Sequence, residues 1–397
     1  MSRNRLYFDS AATTPIDPKV LREYVWHLKN TTGNASSISK EGVAAKKVLE
    51  TSRKEVAASL GARPLEVVFT SGGTESNNLA IMGTFESLGG SDFKTQNGKK
   101  FHAITTEIEH SSVLECFRQL EKKGLQVTYL PVSSGGVIDS NVLKKALRPE
   151  TALVSIQYAN GEIGVIQPIR EISKVIRDFN SRFAIHASRL KTQFHTDVSQ
   201  AASYLNLSVE RLGVDLMTLD SHKIYGPKGV GALYLRSGVK ISQITFGGGQ
   251  EGGMRSGTEN VPAIAAFAKA LQICAVQREK ESLRLATLRD QIYSGILENI
   301  GMEILVNGEM KNRLPNNLNI SIRDIDTEFL TLQLDAKGIA VSTKSACVDS
   351  DVGSYVVKAL GGHPWRSKNT LRISLGRFTT IDQCRNFVRV LRGFLKK

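Results

Sequence analysis

Between residues 65 and 235, short β-branched runs alternate with amphipathic stretches, and this alternation narrows the possible folds more than any other feature of the chain. Strand signals fall at 66–70, 101–105, 126–131, 152–157, 214–219 and 231–235. Between them, 75–88, 111–123 and 169–180 carry apolar residues at spacings of three and four, the repeat of one helix face. Strands alternating with helices build a mostly parallel sheet covered by helices on both faces, so the fold class is α/β.

Past Gly257 the pattern changes. A long helical stretch over 262–300 leads into LNISI, DTEFLTLQLDAKG, NTLRISLG and TIDQCRNFVRVLRGFL, a mixture that predicts a smaller α+β unit. A chain of 397 residues also exceeds the size at which one core keeps growing, about 250–300 residues. The expected division is a large domain over 15–262 and a small domain over 263–397 that also takes in 1–14. With no repeat and no low-complexity linker, function has to sit in particular loops.

Composition excludes several classes. The chain is 41% apolar and 23% charged, and no apolar run approaches the roughly 20 residues of a membrane-spanning helix. The N-terminal MSRNRLYFDSAATTP lacks the apolar core of a secretory signal, which predicts a cytoplasmic location. The net charge of +14 raises the question of nucleic acid, but the basic residues are interleaved with acids, as in KEGVAAKKVLETSRKEVA. Such patterning marks a solvated face, so direct nucleic-acid binding is not expected. The four cysteines lie far apart, which indicates neither a disulfide framework nor a zinc ribbon. Cys116, Cys274 and Cys384 fall in helical segments and read as small buried apolar residues, whereas Cys347 lies in the polar stretch VSTKSACVDSDVGSY.

Three segments carry chemistry. VVFTSGGTESNNLAI runs from a strand through a Gly-rich turn into a helix, an arrangement that aims backbone N–H groups and a helix dipole at one spot and suits a phosphate. VDLMTLDSHKIYGPKGVGALYL places His222 and Lys223 just after an apolar strand, where a partly desolvated lysine favours imine formation with an aldehyde. FHTDVSQAA supplies an aspartate at a strand end. A pyridoxal-phosphate site needs an imine lysine and an acid against the pyridine nitrogen, so the three parts point to one cofactor.

SGGTES, IEH, EIGVIQPI, HTDVSQ, SHKIYGPKGVGALY, GGGQEGGMRSGTEN, SAC and LRISLGRFTT, in this order, resemble the cysteine desulfurases, fold-type-I pyridoxal-phosphate enzymes of the class V aminotransferase group. The resemblance runs from FDSAATTP to GRFTT and covers nearly the whole chain. It implies the fold-type-I architecture, pyridoxal 5'-phosphate as cofactor, and conversion of L-cysteine to L-alanine with the sulfur captured as a persulfide on Cys347. Lys223 would carry the cofactor and move protons, Asp197 would pair with the pyridinium nitrogen, and Gln200 would bond the phenolic oxygen. His110 would stack on the ring and assist proton transfer. Gly73, Thr74, His222 and the residue at position 220 would surround the phosphate, joined by Thr258 from a second subunit, which implies a homodimer. Arg372 would grip the substrate carboxylate, and Asn160 would also contact the substrate. A mobile Cys347 loop would pass the sulfur to an acceptor protein, either an iron–sulfur scaffold or a tRNA thiolation enzyme.

The sequence departs from the family pattern in several places. Asn160 is followed by Gly161 where two Asn are common, and Asp220 stands where a Ser commonly binds the phosphate. A carboxylate beside a phosphate dianion is unfavourable unless it turns away or pairs with a cation, and Asp220 is expected to turn outward. FAIHASRLKTQFHTD is about ten residues longer than the resemblance predicts, and the stretch from Cys347 to Tyr355 about one residue shorter. The competing readings are a related lyase or aminotransferase, such as a selenocysteine lyase, and a non-catalytic scaffold or RNA-binding homologue.

Overall fold

A seven-stranded sheet forms the centre of the computed structural model, which describes residues 5–89, 93, 98–182, 191–298, 302–343 and 353–395. The chain opens with β1 (Leu6–Tyr7), α1 (Pro18–Asn30) and α2 (Lys40–Leu60). It then alternates through β2 (Val67–Thr70), α3 (Gly73–Glu86), β3 (His102–Thr106), α4 (Ser111–Lys122), β4 (Gln126–Leu130), α5 (Ser140–Ala146) and β5 (Thr151–Ser155). α6 (Ile169–Ser181), β6 (Gln193–Asp197), α7 (Val209–Leu212), β7 (Leu216–Asp220) and β8 (Gly231–Leu235) complete this part. The remainder is α8 (Val261–Leu297), β9 (Ile304–Val306), β10 (Asn317–Ile322), α9 (Thr327–Ala336), β11 (Ile339–Ala340), α10 (Tyr355–Ala359), α11 (Trp365–Lys368), β12 (Thr370–Ser374) and α12 (Ile381–Leu395).

The central sheet has the order β2-β8-β7-β6-β5-β3-β4. All its pairings are parallel except those of β8, which runs antiparallel to β2 and β7. Every residue of β3, β5 and β7 is buried. Helices on both faces account for this, because a strand covered on two sides has no solvent face and reads as a continuous rather than alternating run. Two apolar clusters flank the sheet, one under α1, α2, α6 and the first half of α8, the other under α3 and α4.

A third cluster lies beneath the antiparallel sheet β12-β10-β9 and helices α9 and α12, and it takes in the second half of α8 from Leu285 to Ile296. One helix therefore belongs to two cores: Val261 to Cys274 pack on the large sheet and Leu285 to Ile296 on the small one. The N-terminus joins the second core as well. β1 pairs in parallel with β11, and Phe8 stacks on Phe387 with ring centroids 4.9 Å apart. From there residues 9–14 run back over the ends of the large-sheet strands, which brings the start of the chain to the site described next.

Candidate active site

A cavity of about 240 Å³ opens where the carboxyl ends of the parallel strands meet the second core. Strand ends at a sheet's carboxyl edge are where open α/β folds bind ligands, because the turns that follow carry unpaired backbone groups. Asp197 ends β6, Asp220 ends β7, and α3 begins against both. The turn before α3 needs Gly72, whose φ of 146° lies in a region that side chains avoid. Gly231 of β8 packs on this turn so closely that a Cβ there would stand 2.8 Å from the Gly72 Cα.

Lys223 follows β7 in a single helical turn that spans Ser221–Lys223. Its Nζ donates to the carbonyls of Ala11 and Ala12, both at 2.7 Å, so the returning N-terminal segment holds the amine. Burial lowers its pKa to about 8, with Asp220 opposing that shift and Arg372 adding to it. About a tenth of such an amine is neutral at pH 7, far more than for an ordinary lysine, and the neutral form is what attack on an aldehyde requires.

Asp197 is fixed from two directions. Asn77 of α3 donates to its Oδ2 at 2.8 Å, and the Ser199 backbone N–H donates to Oδ1 at 2.9 Å. Asn77 also donates to Ser112 Oγ at 2.8 Å, while its own Oδ1 is buried without a protein partner. His110 caps α4 through its Nδ1, which accepts the Ser112 N–H at 3.2 Å, and its ring lines the cavity. Burial lowers the His110 pKa, with Asp197 opposing and Lys223 reinforcing, so the ring is held neutral. Gln200 donates to Ala11 O at 3.0 Å and lies against Gly161, where a Cβ would approach its Nε2 to 2.9 Å. The glycine that departs from the family pattern thus leaves room for the Gln200 amide.

Arg372 of β12 reaches the same cavity from the second core. It is 3% exposed, donates to Asp9 Oδ1 at 2.9 Å and to Gly161 O at 3.3 Å, and its Nε is buried without a partner. Asn160 lines the cavity, and its side-chain amide is held by neighbouring backbone. Its Nδ2 donates to Ile108 O at 2.9 Å, and its Oδ1 accepts the Glu162 and Ile163 N–H groups at 2.8 Å, so the residue shapes the turn that presents Gly161.

Asp220 does not turn outward as its sequence position led us to expect. It is 9% exposed, and Oδ2 accepts the Gly73 N–H at 2.9 Å while Oδ1 accepts the His222 N–H at 3.2 Å. The His222 ring Nε2 lies 3.3 Å from Oδ2, and its Nδ1 lies 3.0 Å from Thr13 Oγ1. The cause is the local supply of donors and positive charge, which draws an acceptor-only group inward. Thr74 lines the cavity at the first turn of α3, whereas Thr258 is exposed and does not line it.

Cys347 lies outside the described residues. The residues on either side of its segment are placed at the site: Ser342 exchanges both backbone hydrogen bonds with Arg372, at 2.6 and 3.2 Å, and Tyr355 and Val356 of α10 form cavity wall. Cys116, Cys274 and Cys384 are buried free thiols whose pKa values burial pushes up, to about 12 for Cys116 and about 11 for Cys384. Such thiols are inert, as their helical context predicted.

The residues sequence reading missed are Asn77, Asp9 and Glu109. Asn77 sits one turn into the helix after the Gly-rich turn, a spacing that places it over the strand ends. Asp9 stands in FDSAATTP, but nothing local links it to Arg372. Glu109 is fully buried beside the cavity, accepts from Thr106 Oγ1 at 2.7 Å and from the Gln157 N–H, and burial raises its pKa to about 8, so it is protonated at neutral pH.

A lysine of lowered pKa, a strand-end aspartate held by two donors and a helix-opening turn, all on one mostly parallel sheet, define a fold-type-I pyridoxal-phosphate enzyme. The chain belongs to the class-V aminotransferase family, whose model matches residues 6–387, and within it to the cysteine desulfurases. It is 40% identical over 396 residues to Cysteine desulfurase IscS of Dictyoglomus turgidum, covering 100% of this chain and 95% of that one. Cysteine desulfurase IscS 1 of Archaeoglobus fulgidus is 39% identical over 393 residues, covering 98% of this chain and 97% of that one. A solved NifS-like protein superposes with a TM-score of 0.89 at 35% identity, covering 98% of this chain and 99% of its own.

Proposed function

We propose that the protein takes sulfur from L-cysteine, releases L-alanine and holds the sulfur as a persulfide on Cys347. The observation that carries this reading is the convergence of Lys223, Asp197, His110 and Arg372, from four separate elements, on one cavity. Pyridoxal phosphate, when bound, supplies an electron sink for the substrate's α carbon. Asp197, held in place by Asn77 and the Ser199 N–H, pairs with the ring nitrogen, and the Gly73 turn faces the phosphate. Lys223 anchors the cofactor and, once displaced by substrate, takes and returns the proton of the α carbon. Arg372 holds the substrate carboxylate with donors that Asp9 and Gly161 leave over.

Cys347 follows Thr343 by four residues, a span of at most about 14 Å of extended chain. Ser342, pinned to Arg372, anchors at the substrate site the segment that carries Cys347, which supports attack of its thiol on a bound cysteine. Its thiolate bonds to the substrate sulfur as the Cβ–S bond breaks. The bonding pair stays with the carbon skeleton, and protonation there completes alanine, so L-cysteine plus the Cys347 thiol yield L-alanine plus the persulfide.

The same reading makes the active form a homodimer, with the partner's Thr258 completing the phosphate site. Its support is the exposed apolar surface of α1, where Trp26 is 57% and Leu28 53% exposed, together with Phe246 at 79% beside the glycine-rich loop. The sulfur passes on to an acceptor protein, an iron–sulfur scaffold or a tRNA thiolation enzyme. A cytoplasmic location suits the three unpaired buried thiols. No described helix is long and apolar enough to cross a membrane.

The test is incubation of the holoenzyme with L-cysteine, measuring alanine release and mass gain of one sulfur on the Cys347 peptide. Both are expected, and Cys347→Ala abolishes the sulfur adduct. Failure of both with cofactor bound would overturn the reading.

A further inference from the structure

The phosphate end of the cavity already contains an anion supplied by the chain. The Asp220 carboxylate lies against the first N–H of α3, its Oδ2 2.9 Å from Gly73 N and 3.3 Å from the His222 ring, while its Oδ1 accepts the His222 backbone N–H at 3.2 Å. These are groups that a phosphate at a helix N-terminus would use. The fit is close: a Cβ added at Gly73 would stand 2.9 Å from Asp220 Oδ2. Burial alone would raise the carboxyl's pKa, but the hydrogen bond and charge of His222, the Gly73 N–H and Lys223 outweigh it and hold it below the ordinary value.

An ionised carboxylate accepts hydrogen bonds and donates none, so it offers a phosphate nothing and competes with it for donors. A hydroxyl at the same place would donate. Of the other charges near the turn, Glu75, which accepts the Ser71 N–H, is already paired with Arg255, and the Lys223 amine faces Asp220 and Asp197 as well as Arg372. Phosphate therefore meets a site whose favourable charge is largely neutralised in advance.

We propose that Asp220 sets the affinity and selectivity of the cofactor site: by occupying the anion position of the Gly73 turn, it weakens the hold on the phosphate and narrows the preference for pyridoxal phosphate over unphosphorylated pyridoxal. This rests on the reading that the Gly73 turn receives the phosphate. The consequence is a desulfurase whose occupancy follows the supply of cofactor.

The experiment measures equilibrium dissociation constants of the full-length protein for pyridoxal phosphate and for pyridoxal, in the wild type, Asp220→Ser and Asp220→Asn. Asp220→Asn keeps the shape and removes the charge, which guards against a folding effect of the smaller side chain. Both variants are expected to bind pyridoxal phosphate about tenfold or more tightly, with pyridoxal changed by less than about twofold. Pyridoxal phosphate bound no more tightly by either variant, or equal gains for both aldehydes, would overturn the proposal. Borohydride trapping separates the two levels of the argument. An adduct on Lys223 without the tightening removes the role of Asp220 alone, whereas no adduct on Lys223 in the wild type removes the assigned site and the proposal with it.

Discussion

The guanidinium of Arg372 donates to the carboxylate of Asp9 at 2.9 Å, joining residues 363 positions apart in the chain. The pair forms because β1 docks beside β11 and the following residues cross the end of β12, where Asp9 bridges to Ser374. It orients the arginine's planar fork toward the cavity and offsets its charge before substrate arrives.

Arg372→Lys keeps a charge at this position and loses the fork. The KM for L-cysteine is expected to rise about tenfold or more, with a smaller change in kcat, if the lost contact is the proposed one to the substrate carboxylate. Asp9→Asn leaves the guanidinium buried without a counter-charge and is expected to lower stability by about 3 kcal/mol in chemical denaturation.

Asn77 links α3 to Asp197 and Ser112 with two bonds of 2.8 Å. Asn77→Ala is expected to cost about 1.5–3 kcal/mol of stability, the range for a hydrogen bond to a charged group. Cofactor titration should show weaker binding as well, since Asp197 would keep only the Ser199 N–H. Asn77→Asp, which sets a like charge beside Asp197, should weaken binding further.

Lys223 titrates near pH 8 because it is buried. In the apo protein its reaction with an aldehyde and borohydride should rise with a midpoint near pH 8, against about 10.4 for an ordinary lysine. The sign for stability follows from the same shift. Folding disfavours the charged amine, so the penalty is present at neutral pH and is relieved as pH rises through about 8 toward the ordinary lysine value. Apo Lys223→Met should lack that rise when denaturation is compared across this window.

Arg53 and Glu251 form a buried bidentate pair, with both contacts at 2.7 Å, and Glu251 also accepts the Phe69 N–H at 2.8 Å. The pair ties α2 and β2 to the glycine-rich loop that precedes Thr258. Glu251→Ala strands the Arg53 charge and is expected to cost about 3–5 kcal/mol in chemical denaturation. Arg53→Met combined with Glu251→Ala should recover part of that loss.

Much of the large domain was legible because its code is local. The turn after β2, the strand ends at Asp197 and Asp220, and Lys223 just beyond β7 follow from strand and helix patterns spanning a dozen residues. The second unit was harder to delimit. Pro262 marks the start of α8, yet the two cores divide along that helix between Cys274 and Leu285, and a continuous helical pattern carries no signal for which neighbour each half will meet.

By itself the sequence determined the alternating sheet, the place of Lys223 just past a strand and of the Gly-rich turn before a helix, and the membership of the family, since each rests on residue types at fixed spacing. Only the tertiary structure decided that Asp9 meets Arg372, that Asn77 holds Asp197, that Asn160 meets Ile108 O and that Asp220 faces inward. The physical reason is direction. Spacing says where a side chain leaves the backbone, but whether a carboxylate turns toward water or toward a helix N-terminus depends on donors that packing brings from distant parts of the chain, here from Gly73, 147 residues away.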